Sequence, residues 1–145
     1  MTTTLVRFLG RVRQDPKTGY REATYRFPDG QERTTAFFDI ALRDVVAPDR
    51  LVLLATCGSM WDFFVEHLAA EGQEEELRLR LIDAATEERV SSELLAEVTP
   101  LVERALGSPC ALHLIEYGRN AAEQIAILDA ITNAVPKGRV AWTWT

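Results

Sequence analysis

Five apolar residues in a row, Leu51-Val52-Leu53-Leu54-Ala55, stand between Arg50 and the turn Thr56-Cys57-Gly58. The run is too short for a helix of useful length and does not alternate with polar residues. It fits a strand covered on both faces, as strands of a parallel sheet are. Such a strand requires neighbours of the same kind and helices above and below. The chain supplies them. Residues 3–8 are β-branched and apolar and end at Leu9-Gly10; residues 110–115 form another apolar run; residues 140–145 read as a fourth strand.

Between these runs the pattern changes to a helical period. From Thr35 onward, Phe37, Phe38, Ala41, Leu42 and Val45 make an apolar stripe that Pro48 closes. A second helix is predicted to open at Ser59, to turn Phe63, Phe64, Val65 and Leu68 inward, and to end at Gly72. Residues 71–89 read as helix or as a short strand, an acidic cluster passing into the alternating Leu77-Arg78-Leu79-Arg80-Leu81. Ser91 caps a further helix through Leu94, Leu95, Val98, Leu101, Val102 and Leu106, in which Pro100 is either a kink or a new start. Asn120, with Glu123 three residues later, forms a capping box for a last helix through Ile125, Leu128, Ile131 and Val135 to Pro136. Ahead of the first helix, residues 20–33 alternate around Pro28-Asp29-Gly30, the pattern of a β-hairpin.

Strands alternating with helices imply an α/β fold with a mostly parallel sheet and helices on both faces, plus the inserted hairpin. At 145 residues, 47% hydrophobic and 26% charged, the chain is the size of one domain, residues 1–145, with one core. Its two cysteines, Cys57 and Cys110, have no CxxC partner, and no signal peptide or membrane-length apolar run is present. A soluble, cytoplasmic protein is expected, without contact to a membrane. The net charge of −6 argues against a duplex DNA surface. The arginines do gather near Gly10 (Arg7, Arg11, Arg13) and in the hairpin (Arg21, Arg26, Arg33), as a solvated face or as a counter-charge for phosphates.

In such folds ligands bind outside the carboxyl ends of the strands. Three ends are therefore candidates: Leu9, Gly10 and Arg11; Thr56, Cys57, Gly58, Ser59, Met60 and Trp61; and Gly118, Arg119, Asn120 and Glu123. Gly58 lets a ligand approach the backbone where a helix start offers free N–H groups to an oxygen-rich, nucleotide-like molecule. Ser59 and Asp62 either cap that helix or, for Ser59, donate to the ligand. Trp61 is either core or a stacking platform for a base. Arg119 could pair with a phosphate, stack on a base, or be solvated. His67 and His113 are too isolated to read as metal ligands, and no metal site or cofactor is expected. Neither a GxGxxG after the first strand nor a GxxxxGK[ST] is present, which disfavours ordinary dinucleotide and P-loop chemistry. Cys57 as a nucleophile lacks a histidine nearby in sequence.

Four segments in order carry a family resemblance. They are Val6-Arg7-Phe8-Leu9-Gly10, Thr24-Tyr25-Arg26-Phe27-Pro28-Asp29-Gly30, Ala55-Thr56-Cys57-Gly58-Ser59-Met60-Trp61-Asp62, and Glu116-Tyr117-Gly118-Arg119-Asn120-Ala121-Ala122-Glu123-Gln124. Together they resemble the CARF domain, the CRISPR-associated Rossmann fold, of type III CRISPR sensor-effector proteins. The resemblance implies a Rossmann-like homodimer that binds a cyclic oligoadenylate across its twofold axis and controls an attached effector, most often a HEPN ribonuclease, in antiviral defence. Two other activities compete. One is a ring nuclease acting on the same ligand, with Ser59, Arg11 and Arg119 as the residues that would position and stabilise the reacting phosphate. The other is a nucleotide-binding or dimerisation unit unrelated to CRISPR. In the family the strand at 140–145 continues into a further ligand-touching loop and then an effector, so a longer protein is expected. The hairpin is expected to act as a lid.

Overall fold

The computed structural model describes residues 3–9, 14–15, 19–20, 22–35, 37–69, 72–134 and 139–142. Strands β1 (Thr3–Phe8), β6 (Arg50–Ala55), β7 (Cys110–Leu114) and β8 (Arg139–Trp142) form one sheet in the order β7-β6-β1-β8. All three pairings are parallel. The chain steps outward from β1 to β6 to β7 and then returns to the other side of β1, the order of a doubly wound sheet. Two short antiparallel pairs precede the first helix: β2 (Gln14–Asp15) with β3 (Gly19–Tyr20), and β4 (Ala23–Arg26) with β5 (Glu32–Thr35).

Helices α1 (Phe38–Val46), α2 (Trp61–Leu68), α3 (Glu75–Thr86) and α4 (Ser92–Leu106) follow, and α5 (Ala121–Ala134) connects β7 to β8. The strand alternation sorts the core into two halves. Leu5 and Leu9 of the first strand segment, Leu51, Leu53 and Ala55 of β6, and Cys110 and Leu112 of β7 pack with residues of α1 to α4. Val6, Val52, Leu54 and Ala111 point the other way, against Ile131 of α5. The expectation of helices on both faces is met, four against one among the described residues.

Strand β6 binds these halves together. Leu51, Val52, Leu53 and Leu54 are each completely buried, and its register sets Leu51 between Leu5 and Cys110 and Val52 between Val6 and Ala111. Each such side chain contributes roughly 1.5–3 kcal/mol by leaving water. The unbroken apolar run is thus the consequence of having a core on each side.

Several boundaries differ from the sequence reading. Thr35 ends β5 instead of opening a helix; its hydroxyl accepts from the Phe37 N–H at 3.1 Å, ahead of α1. Helix α2 begins at Trp61, with Met60 as its unassisted N-cap, and ends at Leu68, before Gly72. The ambiguous stretch is helical, because Leu77, Leu81 and Ala84 meet the core at helical spacing while the intervening charges stay outside. Pro100 lies within a continuous α4, where the cost is one missing N–H, and Ser91 caps that helix by accepting from Leu94 N at 3.1 Å.

The hairpin has its turn at the expected place. Phe27 N donates to Gln31 O, Gly30 N donates to Phe27 O, both at 2.9 Å, and Gly30 has φ +86°. Two of its arginines are used locally: Arg26 pairs with Glu32 at 2.7 Å, and Arg33 donates to Glu32 O at 2.8 Å. Arg7 is buried. Arg11, Arg13 and Arg21 lie outside the described residues, so the basic cluster is not assembled among those described.

Truncating the centre of the sheet tests this account of the core. Leu53→Ala is expected to cost about 2–5 kcal/mol by urea denaturation followed by circular dichroism. A loss below about 1 kcal/mol would contradict the central place given to β6.

Candidate functional site

Because the four strands are parallel, their carboxyl ends share one edge of the sheet. Leu9 N donates to Leu54 O at 3.0 Å, and Ile115 N donates to Ala55 O at 3.0 Å. The ends of β1, β6 and β7 are therefore neighbours, and the turns at 56–60 and 115–120 emerge side by side.

The first turn is fixed by its own polar groups. Ser59 Oγ accepts from Thr56 N at 3.0 Å and shares a hydrogen bond with Thr56 Oγ1 at 2.9 Å; Ser59 N donates to Thr56 O at 3.1 Å. Ser59 thus closes the turn, and the expected cap on α2 is not made. Trp61 requires a correction as well. Its ring is completely buried in the core, with Nε1 donating to Thr56 O at 2.9 Å, so it packs and anchors the turn and offers no face to a base. Asp62 is half-buried in the first turn of α2; burial pushes its carboxyl above the usual range, against the pull of the Phe63 and Asp62 backbone N–H groups.

The second turn carries half of the predicted capping box, the N-cap bond, while Glu123 returns to the Asn120 side-chain amide instead of its backbone N–H. Glu123 N donates to Asn120 Oδ1 at 2.9 Å, and Asn120 Nδ2 donates to Glu123 Oε2 at 2.9 Å. Gly118 has φ +79°, a conformation that favours glycine, and its carbonyl accepts from Gln124 Nε2 at 3.2 Å. Arg119 lies over the Tyr117 ring, its guanidinium carbon 4.9 Å from the centroid, with Nε 3.5 Å from Glu123 Oε1. Its side chain remains 73% exposed, so this geometry presents a cation at the surface without committing it.

The two turns touch through side chains. Cys57 Sγ and Tyr117 Oη are 3.5 Å apart. A Cβ placed on Gly58 would stand 2.9 Å from Tyr117 Oη and 2.9 Å from Glu88 Oε1. The ends of the Tyr117 and Glu88 side chains therefore converge on the space beside Gly58. The hydrogen bond with Cys57 raises the Tyr117 pKa, burial adds to this, and the nearby Glu88 carboxylate pushes the same way while a hydrogen bond with Thr56 opposes them.

Of the residues named from sequence, Thr56, Cys57, Gly58, Ser59 and Met60 are partly exposed at the first turn, and Gly118, Arg119, Asn120 and Glu123 stand at the second. The side chain of Leu9, like that of Trp61, is buried in the main core, so at most its backbone faces the strand end. Gly10 and Arg11 lie outside the described residues. Tyr117 and Glu88 were not among the residues chosen from sequence. Tyr117 could have been found as the aromatic residue of the second turn; Glu88 sits in the stretch whose element type was ambiguous.

Among the described residues, no group of three or more His, Cys, Asp or Glu side chains is arranged to hold a metal, and no helix is long and apolar enough to cross a membrane. No protein-family model matches the chain, and no curated protein matches its sequence.

The two cysteines have opposite surroundings. Cys57 is partly exposed, whereas Cys110 is buried and its thiol is pushed up to about 12, chiefly by burial and also by Glu103. An unfolded thiol titrates near 9.0, so this contribution to stability is complete below pH 9 and fades as pH rises toward 12. At pH 8 a disulfide reagent such as Ellman's is expected to label one thiol of the native protein quickly, and Cys57→Ser to abolish that phase. Rapid labelling of both thiols would contradict the buried placement of Cys110.

Proposed function

We propose that this chain is a ligand-sensing domain that binds a cyclic oligoadenylate and controls an effector, such as a HEPN ribonuclease, in type III CRISPR antiviral defence. One observation carries the reading. The two segments with the most specific likeness to the CARF pattern, 59–62 and 118–124, are some sixty residues apart in sequence, yet the turns that lead into them meet through Cys57 and Tyr117.

The chemistry of that junction suits such a ligand. Arg119 is an exposed cation for a phosphate or a base, and Tyr117 beneath it offers the aromatic face that Trp61 does not. The turn at Thr56, Cys57 and Gly58 is partly exposed, so a ligand can lie against it. A symmetric ring calls for the same contacts from two protomers, which a twofold homodimer provides. The apolar side chains of Ile125 and Leu128 on α5, 59% and 64% exposed, support a protein contact beside the second turn. Control of an effector then follows if the ligand favours one of two dimer arrangements.

Filter binding and chromatography with labelled cyclic tetra-adenylate and hexa-adenylate test the proposal. One of the rings is expected to be retained intact, and Arg119→Ala to weaken its binding by about tenfold, the loss of roughly 1.4 kcal/mol expected for a charged contact. Linear products would favour a ring nuclease instead. Absence of binding to either ring would contradict both.

A further inference from the structure

Glu88 lies at the corner between α3 and α4, outside every segment that the likeness to a known family covers. Its backbone has φ +54°, a left-handed conformation that costs a residue with a Cβ roughly 1 kcal/mol. The corner is held by Glu88 N donating to Ala85 O at 3.1 Å and by Val90 N donating to Cys57 O at 3.3 Å. The second of these bonds ties the corner directly to the candidate site.

The result is a carboxylate placed over Gly58 and beside Tyr117 Oη. Gly58 does not have the positive φ that would itself demand glycine; a Cβ there would meet the ends of these two side chains, which would have to move aside. Among the described residues no cation is paired with Glu88. Arg89, next to it, is bonded to Glu87, and Arg119 lies over the Tyr117 ring with Glu123 beside it. Glu88 is exposed, so this acceptor is open to solvent and to a ligand.

Resting on the cyclic oligoadenylate reading above, we propose that Glu88 is a specificity-determining residue: its exposed carboxylate, at the edge of the β6 turn, accepts a hydrogen bond from an uncharged donor of the ligand, a ribose hydroxyl or the adenine amine. A phosphate there would meet an unneutralised carboxylate. The phosphates are accordingly directed away from Gly58, toward Arg119, and the β6 turn reads the nucleoside portion of the ligand. This divides the work between the two turns, one recognising donors and the other charge.

The test compares wild type, Glu88→Gln and Glu88→Ala for binding to cyclic tetra-adenylate and hexa-adenylate, with thermal unfolding of each variant as a control for folding. Glu88→Ala is expected to weaken binding of the recognised ring by about tenfold or more, and Glu88→Gln by less, since the amide keeps an acceptor oxygen. Rings of 2′-deoxyadenosine and of inosine, which lacks the amine, separate the two donors. The one carrying the contact loses affinity with wild type and has little further to lose with Glu88→Ala. Unchanged or tighter binding by folded Glu88 variants, or equal sensitivity of both altered rings to Glu88→Ala, would overturn the proposal while leaving the ligand intact. Failure of wild type to bind either adenylate ring would overturn the parent reading and this one with it.

Discussion

The rest of the molecule depends on the burial of β6 between β1 and β7. Four consecutive side chains of that strand are removed from water on alternating faces. This commits the chain to a core on each side of the sheet, hence to crossover helices above and below, hence to parallel strands. Parallel strands place every exit turn at the same edge. The proximity of Cys57 and Tyr117 is a downstream effect of that constraint, because β6 and β7 are hydrogen-bonded neighbours with Ala55 paired to Leu114. A ligand site here requires no special device beyond two adjacent turns with suitable residues.

The strand order qualifies the general rule for such folds. The chain reverses direction across the sheet at β1, between β6 on one side and β8 on the other. The usual crevice is at that reversal, but the side chains described in contact stand one strand away, at β6 and β7. Two features suit this displacement. Gly58 is a position where two side chains from other elements converge, and Arg119 is held over Tyr117 at the start of a helix whose N-cap is already satisfied by Asn120. The positive end of α5 is therefore supplemented by an exposed guanidinium.

The sequence made much of the architecture legible. Apolar runs without alternation identified β1, β6 and β7, and the spacing of Asn120 and Glu123 located the start of α5, because both signals are local. Tertiary choices were not legible. Trp61 reads equally as platform or core from its neighbours, and only the space between the sheet and α2 decides in favour of the core. Leu9 extends β1 into that same core. Ser59 bonds back to Thr56, because a short polar side chain in a tight turn competes with the helix for its own hydroxyl. Glu88 gave no sign at all: a left-handed glutamate carries no compositional mark, and the charges around it look like a solvated helix end.

The central claim is that the turns after β6 and β7 form one ligand site. Amide hydrogen exchange, measured with and without cyclic tetra-adenylate or hexa-adenylate, tests it most directly. The account predicts that slowed exchange appears together at residues 57–60 and 118–123, with little change in α3 away from Glu88. Protection confined to one of these turns, or centred elsewhere in the molecule, would contradict it.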